Sequence, residues 1–238
     1  MPDRFDYTVR ESKRAKHVRF SISVHDGLVV VVPVGFDHNE IQGLLEEKRA
    51  WIERSLAKIE RARAEMPKPG RPDNLDFHAT EKSWAIEWDQ VHGRRPVTRV
   101  FPGCRLLAHG DVEDRSLWHP LLRGWLMRKA SEVLRPWMER IAIEHGFAPP
   151  KISIRCQKSR WGSCSARGNV NLNAQLLFIP SELVNYVLLH ELCHTIHHNH
   201  SSAFWSLLRE HEPDTDRLRK ELRGAWRYVP PWIAAPEA

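Results

Sequence analysis

Cysteine is scarce in this chain: four in 238 residues, at positions 104, 156, 164 and 193, with no pair at CxxC spacing. So wide a distribution excludes a dense disulfide framework and reads as reduced thiols. The first residues, Met1-Pro2-Asp3-Arg4-Phe5-Asp6, contain no apolar signal region, and no run of about 18 apolar residues follows anywhere. The expectation is a soluble, cytoplasmic protein with no membrane partner. Internal repeats and low-complexity tracts are also missing. No charge dominates: 36 Lys and Arg against 30 Asp and Glu leave a formal +6, which permits an acidic partner without demanding one.

What is present in excess is histidine and tryptophan, 14 and 10 residues. Five of the histidines, at 190, 194, 197, 198 and 200, crowd into one short stretch. The tryptophans read as core anchors, since they recur within apolar helical and strand patterns.

The apolar pattern predicts an α+β chain. Val18, Phe20, Ile22 and Val24 alternate with polar residues, His25-Asp26-Gly27 supplies turn chemistry, and Leu28 to Val32 is a β-branched run. Two strands in a hairpin follow for Tyr7 to Val34. Arg10, Lys13, Arg14, Lys16, His17 and Arg19 form a basic stretch there, either a solvated face or a contact for nucleic acid or acidic substrate. Helical spacing runs from Asn39 to about Ala64, with Asp37 or Asn39 as cap, until Met66 to Pro72 breaks the pattern and marks a candidate boundary. Strands are predicted around Trp84 to Trp88 and Arg105 to Ala108. A long helix is predicted from Leu117 to His145, in which Pro136 introduces a kink or a division. Short strands at Lys151 to Ile154 and from Val170 precede a helix opened by Pro180-Ser181-Glu182, with Ser181 as its cap.

That last helix contains His190-Glu191-Leu192-Cys193-His194, an HExxH pattern. At about 100° per residue the two histidines project within about 40° of each other, one turn apart, so both imidazoles reach a single metal ion. Glu191 points beside that pair, where it takes a proton from water rather than binding the metal. Two histidines and a glutamate on an otherwise apolar helix are costly without such a role.

A third ligand leaves one coordination position open for water. The candidates are His197, His198, His200, Glu210, His211 and Glu212. On a continuing helix His197 and His198 lie roughly 10 and 12 Å along the axis from His190. The better geometry ends the helix at His197-His198-Asn199, reverses the chain through a left-handed Asn, and brings His200 back to the metal. Ser201 then caps a new helix containing Phe204 and Trp205. Glu210 is the alternative ligand. The oxyanion donor stays open among His197, His198, Arg160 and Tyr186. The strand Asn169 to Asn173 is either an edge for an extended substrate or a structural hairpin, and Arg160-Trp161-Gly162 reads as a packing element supporting it.

Arg160-Trp161-Gly162-Ser163-Cys164-Ser165, Gly168-Asn169-Val170-Asn171-Leu172-Asn173, the HExxH pattern, and Asn199-His200-Ser201 followed by Phe204-Trp205 together resemble the YgjP-like metallopeptidases, relatives of the SprT-type zincins. Ser12-Lys13-Arg14-Ala15 and Val32-Pro33 extend the likeness toward the start. The resemblance implies a Zn2+ ion on His190, His194 and His200, Glu191 as general base, a zincin-like core with a small β-sheet, and a protein or peptide substrate. The spacing from His194 to His200 equals that of the metzincin pattern HExxHxxGxxH, with His197 where that pattern has Gly. A β-rich N-terminal portion, residues 1–112, and a metallopeptidase domain, residues 113–238, are expected. Two functional alternatives accompany the hydrolase: a nucleic-acid-associated protease acting on DNA-bound proteins, and a non-catalytic metal scaffold. The second is disfavoured because a closed structural site has no use for a base.

Overall fold

The computed structural model describes residues 5–12, 15–23, 27–65 and 70–234. The chain divides into two compact units, Met1–Gly70 and Arg71–Ala238.

In the first unit, strands β1 (Tyr7–Ser12), β2 (Arg19–Ser23) and β3 (Gly27–Pro33) form a sheet of order β1-β3-β2. The continuous run Leu28 to Val32 is explained by its central position, because a strand covered on both faces needs no polar alternation. β2 pairs with β3 antiparallel, as the hairpin reading requires, but β1 adds a third strand, parallel to β3. The expected two strands are therefore three. The His25-Asp26 turn, Lys13 and Arg14 lie outside the described residues. Arg10, Lys16, His17 and Arg19 are exposed.

The predicted single helix is broken. Asp37 accepts from the Asn39 backbone N–H and opens a 3-10 turn, after which α1 (Ile41–Glu47) and α2 (Arg49–Glu65) are separated at Lys48. Ile41, Leu45 and Ile52 bury their side chains with Leu28, Val30 and Val32.

The second unit starts with β4 (Asn74–Phe77), β5 (Lys82–Gln90), β6 (Val97–Phe101) and β7 (Arg105–Gly110), in the order β4-β5-β7-β6. Its buried face packs on α3 (Arg115–Glu144): Trp125 stands edge-on to Trp84 with centroids 5.1 Å apart, and Trp118 edge-on to Trp88 at 5.9 Å. Asp114 caps α3 by accepting from Ser116 N–H at 2.8 Å. Pro136 does not divide the helix, which ends where Gly146 adopts a positive φ of 75°.

A second sheet, of order β8-β10-β9, joins β8 (Ile152–Arg155), β9 (Gly162–Cys164) and β10 (Val170–Asn173). Helices α4 (Ser181–Ile196), α5 (Ser202–His211), α6 (Thr215–Arg223) and α7 (Pro231–Ala234) complete the α+β unit. The N-cap of α4 is Pro180, with no side-chain hydrogen bond, so Ser181 is its first residue rather than its cap.

One buried cluster runs from Leu75 to Ile233 through both sheets, α3 and α4. A division at 112/113 would strip the four-stranded sheet from α3 and expose Trp118, Leu122 and Trp125. The observed division falls at the proline-rich break instead. No helix among the described residues is long and apolar enough to cross a membrane.

Candidate active site

The interior of α4 is apolar along most of its length: Leu183, Val184, Val187, Leu188, Leu189 and Leu192 are all buried. That packing fixes the helix and, with it, the direction of His190, Glu191 and His194. The helix stops at Ile196, where His197 turns to an extended conformation (φ −117°, ψ 102°). His194 Nδ1 lies 2.9 Å from the His197 carbonyl, and His198 Nδ1 lies 3.0 Å from the His194 carbonyl. Because a carbonyl only accepts, both Nδ1 atoms carry protons, and His194 presents the Nε2 lone pair outward.

The reversal returns His200 to the helix. Its Nε2 lies 3.2 Å from Nε2 of His194 and 3.2 Å from Nε2 of His190. Asn199 is not left-handed: Glu81 and Cys104 are the described non-glycine residues with positive φ. The extended His197 makes the turn. Ser201 caps α5 by accepting from Phe204 N–H at 3.4 Å, and Phe204 stacks on His194 with centroids 4.4 Å apart.

Of the six third-position candidates, His200 is the one brought to the His190 and His194 pair; these three residues form a group able to hold a metal ion. Glu210, on α5, is exposed and outside that group. Cys193 is buried and Cys164 half-buried, and neither belongs to it. Ring nitrogens this close either share N–H···N hydrogen bonds or, as three lone pairs, need a cation among them. Two nitrogens at about 2.0–2.1 Å from a common tetrahedral centre sit roughly 3.3 Å apart, which the two spacings from His200 match. Metal ligation also needs neutral imidazoles. Burial, and then the neighbouring His194 and His200, push His190 down to about 3.

Glu191 is 4% exposed. Its Oε2, like Nδ1 of His190, has no hydrogen-bond partner among the described residues. Burial raises its carboxyl to about 8, moderated by Arg160. The carboxylate is wedged against β9: a Cβ on Gly162 would lie 2.5 Å from Glu191 Oε1 and 2.8 Å from Cδ and Cγ. Glycine is therefore required here by close approach.

The loop that delivers Gly162 is tied down by Asn173, fully buried, whose Nδ2 donates to the carbonyls of Gln157 and Arg160, each at 2.8 Å. Arg160-Trp161-Gly162 thus does more than support a strand. It forms the wall behind Glu191, a contact with no local sequence signal beyond the glycine itself.

A pocket of about 580 Å³ opens on this group, lined among others by Trp161, Tyr186, Trp205, Arg219, Arg223 and Trp226. Trp161 and Trp226 stack at 4.0 Å. These two and Trp205 are not only core anchors, as the sequence pattern had implied. Of the four oxyanion-donor candidates, Tyr186 lines the pocket, whereas His197, His198 and Arg160 do not. β10 is paired on both sides, so it offers no docking edge; the edge nearest α4 belongs to β9.

Comparison with known proteins adds to this geometry. The family model described as YgjP-like, metallopeptidase domain, matches residues 16–225. The crystal structure of the metallopeptidase zymogen of Pyrococcus abyssi abylysin is 27% identical over 36% of this chain and 91% of that one, with a TM-score of 0.31. No curated protein matches.

Two outcomes follow from the buried carboxylate. Gly162→Ala should destabilise the protein by about 1–3 kcal/mol in urea unfolding, and by less than half as much in a Glu191→Ala background; additive effects would contradict the contact. In chelator-treated protein the unfolded chain ionises Glu191 near its ordinary 4.5, while the folded chain does so near 8. Stability is then lost as pH rises through that window. Thermal melts should show Glu191→Gln gaining over wild type progressively between pH 5 and pH 8, whereas a pH-independent difference would refute the assigned burial cost.

Proposed function

Since this chain belongs to the YgjP-like metallopeptidase family, whose model matches it over residues 16–225, we propose that it is a zinc-dependent peptidase in which His190, His194 and His200 hold the metal and Glu191 is the general base. The observation that carries the reading is the approach of His200 Nε2 to 3.2 Å from Nε2 of both His190 and His194, with all three ligand atoms within 4.8 Å of one another, beside a buried carboxylate. An all-imidazole donor set suits zinc. When bound, zinc supplies Lewis-acid charge that acidifies water and polarises the scissile carbonyl.

The protein's own groups do the rest. Glu191 accepts the proton of the attacking water and passes it to the leaving amine nitrogen. Burial keeps its proton affinity above that of an ordinary carboxylate, which suits a group that must both take and return a proton near neutrality. Of the four candidates for stabilising the developing oxyanion, Tyr186 is the one that lines the pocket, and burial favours its protonated hydroxyl, a donor. An extended substrate adds to β9 by main-chain hydrogen bonds, alongside the wall that holds Glu191.

Glu191→Gln should retain zinc while losing roughly 10²–10⁴-fold in peptide hydrolysis, the usual range for a general base. Zinc analysis paired with cleavage of an unfolded protein substrate checks it, and full activity in this variant would sink the mechanism.

A further inference from the structure

The charge left in the pocket after the triad and Glu191 is positive. Arg219 and Arg223, one turn apart on α6, both line it, and Glu191 is its one lining carboxylate. Neighbouring Arg217 is engaged by Glu182, Asp214 and Glu221. Arg219 and Arg223 have no carboxylate partner among the described residues. Arg219 rides instead on the Trp205 ring, its Cζ 4.5 Å from the centroid, and the same indole stacks on His200 at 5.4 Å.

A guanidinium on the indole that stacks on His200 lies close to a cation-binding triad and opposes a cation there. An anion arriving with the substrate removes that opposition. The indole holds the Arg219 fork in place, which lowers the ordering cost of binding. Side chains one helical turn apart converge on one small group, and arginine's planar donors match a carboxylate. Arg219 and Arg223 are themselves exposed, at the open side of the pocket whose wall carries the stacked Trp161 and Trp226.

We propose that Arg219 and Arg223 form a carboxylate-binding subsite that selects peptides bearing an acidic group next to the bond to be cut. This deepens the peptidase reading and rests on it. The carboxylate comes either from an Asp or Glu side chain or from the substrate's own C-terminus.

The test uses full-length, zinc-loaded Glu191→Gln protein and tryptophan fluorescence, which reads binding without turnover. The probes are blocked alanine pentapeptides with a central glutamate or glutamine, and alanine pentapeptides ending in a free carboxylate or an amide. At least one acidic peptide should bind tenfold or more tighter than its neutral twin, and the pair that discriminates identifies the source. Added salt should reduce the ratio. Arg219→Gln with Arg223→Gln, shown folded by its melting curve, should bring the ratio within twofold, and Arg219→Glu with Arg223→Glu should invert it. Equal affinity within both pairs, no binding of any peptide, or a ratio that survives in the double variant would overturn the subsite. So would an oligothymidylate that binds tighter than the glutamate peptide and loses that binding in the same variant. Cleavage of an unfolded protein by the zinc-loaded wild type is scored separately: binding through the arginines without cleavage keeps the subsite and removes the peptidase reading, and cleavage without discrimination does the reverse.

Discussion

A carboxylate held out of water is the constraint on which the rest of this unit depends. Glu191 sits between α4 and β9 with one oxygen unpartnered among the described residues and its proton affinity raised by burial. Ionising such a group costs several kcal/mol unless positive charge lies near. The surrounding structure makes sense as the means of keeping that group in place. An apolar helix anchors it from below, a glycine permits close approach from the side, and Asn173 ties down the loop that carries the glycine.

The same economy governs the histidines. Three imidazoles with their ligand nitrogens within 4.8 Å of one another need local structure to arrange them. His197 ends α4 in an extended conformation, its carbonyl fixes the tautomer of His194, and Ser201 restarts the helix so that Phe204 and Trp205 pack around the ring of His200. A dication held by His190, His194 and His200 would offset both costs, satisfying the ring nitrogens and stabilising the ionised form of Glu191.

How much of this was legible in the sequence depended on range. His190, Glu191 and His194 follow from the pitch of one helix; a short reversal favours His200 over Glu210, and the three histidines do lie together. Even there the means differed: the turn needs no left-handed Asn199, and α4 starts without a Ser181 cap. Gly162, Trp226, Arg219 and Arg223 reach the site from elements distant in sequence, and no periodicity signals such contacts. Among the strands, β5 showed itself by alternation. β4 alternates, with Leu75 and Phe77 buried between exposed Asn74 and Asp76, but over four residues only, too short a run to stand out; β6 is mostly exposed on both faces and carries no clear period-two pattern. The domain boundary was visible as a proline-rich break at residues 66–72, yet placing it at 112 followed the change from strands to helix. A shared core, not a change of secondary structure, decides where a unit ends, and Trp84 and Trp125 bind the four-stranded sheet to α3 within one.

Zinc titration by calorimetry of wild type, His200→Ala and His198→Ala separates a triad ligand from its neighbour. One zinc per chain is expected in the wild type, with affinity reduced at least about 100-fold by loss of the His200 imidazole and within about tenfold of wild type for His198→Ala, whose ring contacts the helix end and is outside the triad. Undiminished zinc binding by His200→Ala, or its loss in His198→Ala alone, would contradict the triad.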